Sequence, residues 1–545
     1  MTADYEQVDY GYAQQEWRPA WRRPAPRARA ATMALYSWQE PGLVFVASIL
    51  AAAPFILAAL FSPALLSLAP TVEVIAPIAD ARAVVSGAAS IADAASPFNL
   101  ALLVAGDLFA DTPGRIHLAA KAVAAILVAF PLAYFAAARF PAAQAALLTA
   151  SVAAFVAAPF AGPLEISLAL FMALAVALLT APADESALRA RIEGGLAGAI
   201  LFALWTSHPI FALLGFLALS ACPFLTGRRR LERYFLALGG ALALAAASEV
   251  LAPGLTLARA SAASGALNGA ESLVGVVGAW GLAGVAASTI IVIFAAAVFG
   301  GRDYAKGWLA AGVFLVVSFF AVRLAGAQST PLFALAAAIA VFSVASPFYD
   351  GVFRHHDRAS IAVAGSAAAL TLFWTAAILV QSAGQFALQF RTAATSAADV
   401  RTAFGLVQPG GPSIARWIEE GRFSTPEARE LFALAPVDQS AILLEAVDRA
   451  RALTREGIEV AFLTGADTAC VIADARACGA DGPAAAMGAK VVFVPRLDFD
   501  AATAAAKGRS EALLYTEFKM VERTPLWDVW VRRGVSLPTG FVVPS

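Results

Sequence analysis

PTVEVIAPIADARAVVSGAASIADAASPFNLALLVAGDLFADTPGRIHLAAKAVAAILVAFPLAYFAAARF, residues 70–140, is the stretch that decides the fold. It starts where a long apolar segment, 43–68, ends, and it finishes in a second apolar segment, 116–139. The connection between them has about 45 residues and carries unevenly spaced polar groups, whereas long connections in compact domains are uncommon unless they are functional. The sequence therefore predicts a folded loop between two helices, not a linker.

The composition is that of a membrane protein. Hydrophobic residues make up 60% of the 545 residues and charged residues 14%, with a mean hydropathy of +0.73. An ordinary soluble domain is about 25% charged. The net charge of -1 provides no overall field that would favour nucleic acid. These values predict a polytopic α-helical membrane protein.

The apolar segments predict about eleven transmembrane helices. Because Ala and Gly are frequent, each segment is only moderately apolar and its ends are poorly defined. With this topology every basic cluster falls on one face, which the positive-inside rule identifies as cytoplasmic. The predicted spans are 43–68, 116–139, 142–158, 164–181, 193–207, 209–225, 232–252, 273–299, 307–324, 331–348 and 360–384.

Three domains follow from this pattern. Residues 1–41 combine arginines with prolines and predict a disordered cytoplasmic tail, and residues 42–384 form the transmembrane domain with an extracytoplasmic loop at 70–115. Residues 385–545 change to amphipathic helices followed by the β-rich runs VAFLTG, KVVFVP, EALLYTEFKMV and WDVWVRR. They predict a small soluble periplasmic domain of α/β or α+β class.

The order of motifs within 42–350 resembles the GT-C superfamily of membrane glycosyltransferases, in its protein mannosyltransferase and aminoarabinose transferase branch. Six motifs carry the likeness early in the chain, and SFFAVRLAGAQSTPLFALAAAIAVF (318–342) resembles a late span, loop and returning span of that branch. The six are ADAR (79–82), SPFNLALLVAGDLF (96–109), GRIHLAAKA (114–122), GPLEISLALF (162–171), GGLAGAILFALWTSHPIFALLGFL (194–217) and GRRRLER (227–233).

The resemblance implies an eleven-span GT-C-like fold and a polyprenyl-phosphate sugar as donor. An inverting transfer needs a carboxylate that accepts the proton of the acceptor hydroxyl, and cationic groups that stabilise the phosphate leaving group. Asp80 and Glu165 take the position of the family's acidic catalytic residues. Cations and donors for the phosphate are Arg82, Arg115, His208 and Arg323. The branch that this chain resembles works without a divalent metal, so no cofactor is expected.

Each of these residues also has a simpler interpretation. Asp80 could be a solvated loop acid, and Glu165 could be a helix N-terminal acid favoured by the macrodipole, since it follows Gly162 and Pro163. Arg82 and Arg115 could form salt bridges with loop acids. His208 could be an ordinary loop residue.

Two further pairs of residues, His117 with Lys121 and Cys470 with Cys478, lie outside this implied site. His117 and Lys121 share a helix face and either line a cavity or cap the helix, while Arg323 could snorkel to the headgroups. Cys470 and Cys478 are candidates for a structural disulfide in an oxidising compartment. No metal-ligand motif is present in the sequence.

The leading hypothesis is a glycosyltransferase of the bacterial inner membrane that moves a sugar from a polyprenyl phosphate to an envelope glycan, lipid or protein. Its partners are then membrane lipid and the lipid-linked sugar. A second hypothesis is a catalytically degenerate scaffold or partner subunit in envelope assembly, because the family's Thr-Lys-Gly is replaced by Ser207, His208 and Pro209. A secondary transporter is a third and weaker hypothesis, since neither inverted repeats nor broken spans are apparent.

Overall fold

The structure is a computed structural model. It describes residues 41–62, 71–85, 90–91, 96–110, 112–140, 142–159, 161–179, 187–226, 231–268, 358–395, 436–464, 486–498 and 501–537. The predicted spans 273–299, 307–324 and 331–348 lie outside these ranges, as does the N-terminal tail.

The first ten helices form a bundle, and two further long helices follow later in the chain. In chain order the bundle helices are α1 (Pro41–Phe61), α2 (Thr71–Val85), α3 (Pro97–Asp107), α4 (Pro113–Ala137), α5 (Ala142–Ala157), α6 (Pro163–Leu179), α7 (Ala187–Ser207), α8 (Pro209–Thr226), α9 (Leu231–Leu251) and α10 (Leu255–Asn268). The later two are α11 (Arg358–Thr395) and α12 (Pro436–Arg455).

Proline sets several of these helix starts. Pro97, Pro113, Pro163 and Pro209 are each the first residue of a helix, where the missing N–H costs nothing and the fixed φ suits the helix. At α3 the preceding Ser96 adds a cap, since its hydroxyl accepts a hydrogen bond from the backbone N–H of Asn99 at 3.3 Å. Local sequence therefore divides the apolar chain into helices.

The prediction of an eleven-span GT-C-like body is wrong. In the ranges that the structure describes, three helices are long and apolar enough to cross a membrane, namely α1, α4 and α9. The predicted extracytoplasmic loop is itself largely helical, because α2 and α3 lie within it.

Length and charge explain the difference. Helix α5 has 16 residues, which corresponds to about 24 Å, whereas the hydrocarbon core is about 30 Å thick. The apolar parts of α6 and α8 are also short. Helix α7 has 21 residues, but its first two turns contain Arg189, Arg191 and Glu193.

Helix α4 is the centre of the bundle. It packs against α1, α3, α5 and α6, and 72% of its most apolar window is buried, compared with 6% for α9. The exposed side of α9 carries Phe235, Leu242 and Leu251. Since contiguous exposed apolar surface is unusual on a soluble protein, α9 has the character of a lipid-facing helix and α4 that of a core helix.

A buried ion cluster connects four helices at one end of the bundle. Both carboxylate oxygens of Glu193 accept hydrogen bonds from Arg139, at 2.8 and 2.9 Å, and Arg233 lies 2.8 Å from the second oxygen. The side chains of Glu193, Arg139 and Arg233 are at most 1% exposed. Arg139 also donates to the carbonyls of Phe135 and Ala177. The cluster therefore fixes the end of α4, the end of α6 and the starts of α7 and α9.

Helices α7 and α9 approach closely through small residues. A Cβ added to Gly198 would lie 2.7 Å from the Ala237 carbonyl oxygen, and one added to Gly194 would lie 2.8 Å from the Leu236 Cβ. These two glycines are four residues apart, as in the small-xxx-small pattern by which membrane helices pack. Gly195, on another face, has open space around its Cβ position.

The C-terminal part contains a four-stranded sheet of order β1-β2-β4-β3. Its elements are β1 (Val460–Phe462), β2 (Val491–Pro495), α13 (Ala501–Glu517), β3 (Phe518–Arg523) and β4 (Trp527–Arg532). β1 and β2 are parallel, and β4 is antiparallel to both β2 and β3. The run EALLYTEFKMV, predicted as β-rich, is helical up to Glu517, and only its end forms β3.

Aromatic packing joins this sheet to α12. The Phe462 and Phe493 rings stack at 5.1 Å, and Trp527 contacts both edge-on. The Trp527 indole N–H donates to the Ile442 carbonyl at 2.8 Å, which satisfies a polar group that would otherwise be costly to bury. Helix α12 also contacts α2, so the sheet domain lies on the same side of the bundle as α2.

We expect Glu193→Gln to lower the free energy of unfolding by about 3–5 kcal/mol, because two buried arginines lose their counter-charge. Denaturant unfolding in detergent, followed by circular dichroism, measures the change. The control is Glu232→Gln, which removes an exposed pair with Arg191 and should cost at most about 1 kcal/mol. Equal effects of the two substitutions would contradict the structural role of the cluster.

We expect Gly198→Ala to destabilise the protein by about 1–3 kcal/mol, since the added methyl group meets the α9 backbone. Gly195→Ala is the matched control in the same helix, and it should be neutral or stabilising by up to about 1 kcal/mol through helix propensity. Thermal unfolding of the two purified variants tests this contrast, and a neutral Gly198→Ala would argue against close packing of α7 on α9.

Candidate functional site

Asp80 lies in α2, one of the two helices that replace the predicted loop. Its side chain is half-buried, because α2 packs against α3 and α4. Burial raises the pKa of the Asp80 carboxyl above its ordinary value. A carboxylate with a raised pKa is a stronger base than a solvated aspartate, as a general base requires.

Arg82 lies two residues further along α2 and faces an acid of α3. Its guanidinium is 3.7 Å from the Asp107 carboxylate, and the Arg82 side chain is partly exposed while that of Asp107 is half exposed. This is the salt bridge that the sequence offered as the alternative to phosphate binding. A solvent-accessible pair of this length contributes little to stability.

The first turns of α4 carry three basic residues with different exposure. Arg115 is exposed and His117 is half-buried, whereas Lys121 is 3% exposed. The Lys121 ammonium donates to the carbonyls of Ala158 and Pro159, which follow the end of α5. Lys121 thus caps α5, a neighbouring helix, by binding carbonyls that have no partner within it.

Glu165 caps the start of α6. One carboxylate oxygen accepts the backbone N–H of Gly162 at 2.8 Å, and the Gly162 carbonyl accepts the N–H of Ile166. This is the Glu half of a capping box. Glu165 is 8% exposed and is near enough to the buried Lys121 for their charges to interact.

His208 occupies the short junction between α7 and α8. Its Nδ1 is buried with no hydrogen-bond partner, and its ring packs edge-on against Phe211. Burial lowers the pKa of His208, and the nearby positive charge of Arg259 on α10 lowers it further. Beside it, the Ser207 hydroxyl is 3.0 Å from that of Ser167 on α6, which links this junction to the start of α6.

A small cavity opens between α3, the start of α4 and the start of α6. It has room for about one water molecule, far less than the roughly 300–1,000 Å³ of pockets for whole small molecules. Three polar side chains contribute to it, those of Asn99, His117 and Lys121, among apolar walls. The other lining residues are Leu102, Leu103, Ala120, Ala161, Gly162, Pro163 and Ile166.

The sequence-predicted residues that the structure describes lie towards one end of the bundle. Lys121 and Arg139, on α4 and just beyond its end, are 18 positions apart, or about 27 Å along the helix axis. The Glu193 cluster is therefore close to a bilayer thickness away from the cavity. Asp80 and Glu165 do not line this cavity.

Sequence analysis missed three polar residues at the end of the bundle that carries Lys121 and His208. Asn99 was read only as part of a motif, and Arg259, 4% exposed, was not assigned any role. Ser167 was also overlooked, although it directly follows Glu165 and Ile166. Arg259 lies in a loop predicted on the same face of the membrane as His208, and this was the only sequence signal for its role. A single arginine in a polar loop does not indicate that the side chain is buried.

The remaining predicted residues lie outside the described ranges. They are Arg323, the late phosphate candidate, and the disulfide candidates Cys470 and Cys478. Within the ranges that the structure describes, no group of three or more His, Cys, Asp or Glu side chains is placed to hold a metal ion.

Comparison with protein families, with curated proteins and with solved structures finds no match for this chain. The function is therefore argued from the residues and their geometry.

We expect Asp80→Asn to stabilise the folded protein at neutral pH, because it removes the cost of burying an ionised carboxylate. The raised folded-state pKa means that the stability contributed by this carboxyl is complete below its unfolded pKa of about 4 and is lost as the pH rises through the folded value. The gain of the variant over wild type should hence be smallest near pH 4, grow with pH and stay below about 2 kcal/mol.

Unfolding curves of wild type and Asp80→Asn at several pH values measure this difference. Asp107→Asn is the control, since it removes an exposed acid whose counter-ion is Arg82 and should show no such gain. A constant difference across pH would contradict the burial of an ionisable Asp80.

Proposed function

We propose that this protein transfers a glycosyl group from a polyprenyl-phosphate sugar to an acceptor of the bacterial cell envelope. The observation that carries the proposal is Asp80, a half-buried carboxylate with a raised pKa, on the same helix as Arg82. These are the two kinds of group that an inverting transfer from a lipid phosphate needs. The proposal does not depend on eleven spans.

The chemistry assigns one role to each group. The Asp80 carboxylate accepts the proton of the acceptor hydroxyl as its oxygen attacks the anomeric carbon of the sugar. The bond between that carbon and the phosphate oxygen breaks at the same time, and the phosphate leaves with the electron pair. Arg82, after release from Asp107, and the exposed Arg115 stabilise the charge on the departing phosphate.

The substrate fits a membrane setting. Helices α1, α4 and α9 are long and apolar enough to cross a bilayer, and a polyprenyl chain partitions into the same hydrocarbon. In this proposal the protein resides in the bacterial inner membrane with its N-terminus in the cytoplasm. The contact between α12 and α2 supports placing the sheet domain and Asp80 together in the periplasm. The reaction uses no metal cofactor, and its acceptor is an envelope glycan, lipid or protein.

One observation favours a second function, that of a scaffold or partner subunit in envelope assembly. Glu165, the other predicted catalytic carboxylate, is engaged as the cap of α6 through Gly162. A carboxylate committed to a helix end contributes to the fold whether or not the protein is an enzyme. In this alternative the polar end of the bundle has only a structural role, and the C-terminal sheet domain of the protein binds the assembly partners.

We expect Asp80→Asn to reduce the rate of glycosyl transfer by about 10²–10⁴-fold, the usual contribution of a general base. The assay incubates the full chain in lipid nanodiscs with a radiolabelled polyprenyl-phosphate sugar and envelope extract. Loss of labelled product with a normal protein level supports catalysis. Glu232→Gln, which removes an exposed acid paired with Arg191, is the control and should retain most of the activity.

The same variant distinguishes the two functions in cells. If Asp80→Asn fully restores the envelope of a strain that lacks the protein, the scaffold function is correct and the transfer reaction is not. Substitutions on the exposed faces of the sheet domain should then cause the defect instead.

A further inference from the structure

We propose that Arg189, at the Glu193 end of the bundle, binds the phosphate of an anionic phospholipid headgroup. The site combines a surplus of buried positive charge, one guanidinium that reaches the surface and apolar side chains beside it. It lies at the opposite end of α4 from the cavity that Lys121 lines, and it does not depend on glycosyl transfer.

The Glu193 cluster carries more positive than negative charge. Arg139 and Arg233 each lie 2.8 Å from one of the two Glu193 oxygens, and Arg189 lies 4.0 Å from the same carboxylate. Within the part of the chain that the structure describes, three guanidiniums therefore share one carboxylate. Buried charge without an equal counter-charge is costly, so the cluster favours the approach of an anion.

Arg189 is the arginine of the cluster that such an anion can reach. Its side chain is 21% exposed, whereas those of Arg139 and Arg233 are 1% exposed. The Arg189 guanidinium also packs over the Tyr134 ring, with its central carbon 5.9 Å from the ring centroid, and this contact restricts its orientation. A planar guanidinium held in this way presents N–H groups that suit two oxygens of one phosphate.

Two of the candidate membrane spans end at this cluster. Tyr134 is in the last turn of α4, and Arg233 is in the first turn of α9. Both helices are long and apolar enough to cross a bilayer, so the cluster lies where a span leaves the hydrocarbon core and enters the headgroup region. In the orientation proposed above, this end faces the cytoplasm, where the membrane leaflet carries negative charge.

Apolar side chains beside Arg189 favour a lipid over a soluble anion. Leu188 and Ile192, on the same helix, are 69% and 41% exposed, and Phe235 on the neighbouring α9 is 64% exposed. A soluble phosphate would use the guanidinium alone, whereas the acyl chains of a phospholipid also cover these side chains. The headgroup should carry a net negative charge, because the cation of a zwitterionic headgroup would be repelled by Arg189.

The test is native mass spectrometry of the full chain released from an uncharged detergent, which counts the bound lipids. The probes are phosphatidylglycerol, phosphatidylcholine with the same acyl chains, and glycerol 3-phosphate. We expect phosphatidylglycerol to bind at least about tenfold more tightly than phosphatidylcholine, since its net charge strengthens the charge-assisted hydrogen bonds to Arg189. Equal binding of the two lipids overturns the site. Glycerol 3-phosphate binding as tightly as phosphatidylglycerol would identify a site for soluble phosphate and overturn the lipid assignment.

Two matched variants locate the binding. Arg189→Gln should lower the affinity for phosphatidylglycerol by about tenfold, to that of phosphatidylcholine. Arg191→Gln is the control in the same helix, because Arg191 is more exposed and its charge is compensated by Glu232 at 2.8 Å. The control should change the affinity by less than about twofold. Equal losses in the two variants would indicate diffuse attraction to a basic surface and overturn a site at Arg189.

A third variant tests the site without removing Arg189, whose loss can impair folding. Leu188→Glu adds a carboxylate at an exposed position next to Arg189, and an acid in the first turn of a helix is favourable for the helix itself. We expect phosphatidylglycerol to bind about tenfold more weakly, through repulsion between its phosphate and the new carboxylate. Phosphatidylcholine binding reports any loss that comes from the removed apolar side chain. An unchanged preference for phosphatidylglycerol in Leu188→Glu or in Arg189→Gln overturns the proposal.

Discussion

The contact on which the rest of the structure depends is the buried carboxylate of Glu193 between Arg139 and Arg233. Burying three charges carries a large desolvation cost, which only close contacts and additional hydrogen bonds offset. Here the Phe135 and Ala177 carbonyls supply those additional bonds through Arg139. Since the four participating helix ends are fixed together, the opposite ends of the same helices are also positioned. The polar groups around Lys121 and His208 therefore lie on a prearranged surface.

The two ends of the bundle use charge in different ways. At the Glu193 end, one carboxylate and two arginines are buried in direct contact with one another. At the Lys121 end, the ammonium is bound by carbonyls and faced by Glu165, His208 has a buried nitrogen without a partner, and a cavity is present. Polar groups that are incompletely paired mark functional surfaces more often than structural ones. The packing of the rest of the bundle offsets the free-energy cost of these incompletely paired groups.

Sequence patterns located the helices well but misjudged what they do. The apolar segments 142–158 and 209–225 end within a residue or so of α5 and α8, because Pro and apolar periodicity are local signals. Whether such a helix crosses a membrane depends on length and neighbours, and α5 is too short. The side chain of Arg139 is buried against Glu193, a partner 54 positions away that no local pattern reveals. The capping role of Glu165 could be anticipated from Gly162 and Pro163. The proximity of Lys121 to Glu165 could not be, because the two residues lie on different helices and only the folded structure brings them together.

The order of the Glu193 partners along the chain has a consequence for biosynthesis. A chain is made and inserted from its N-terminus, so Arg139 is already in place when Glu193 leaves the ribosome, and the two can neutralise each other at once. Arg233 follows 40 residues after Glu193 (233 minus 193), and it joins a pair that exists before its arrival. Glu193 thus has a counter-ion from the moment it is made, and Arg233 completes a cluster that has already begun to form.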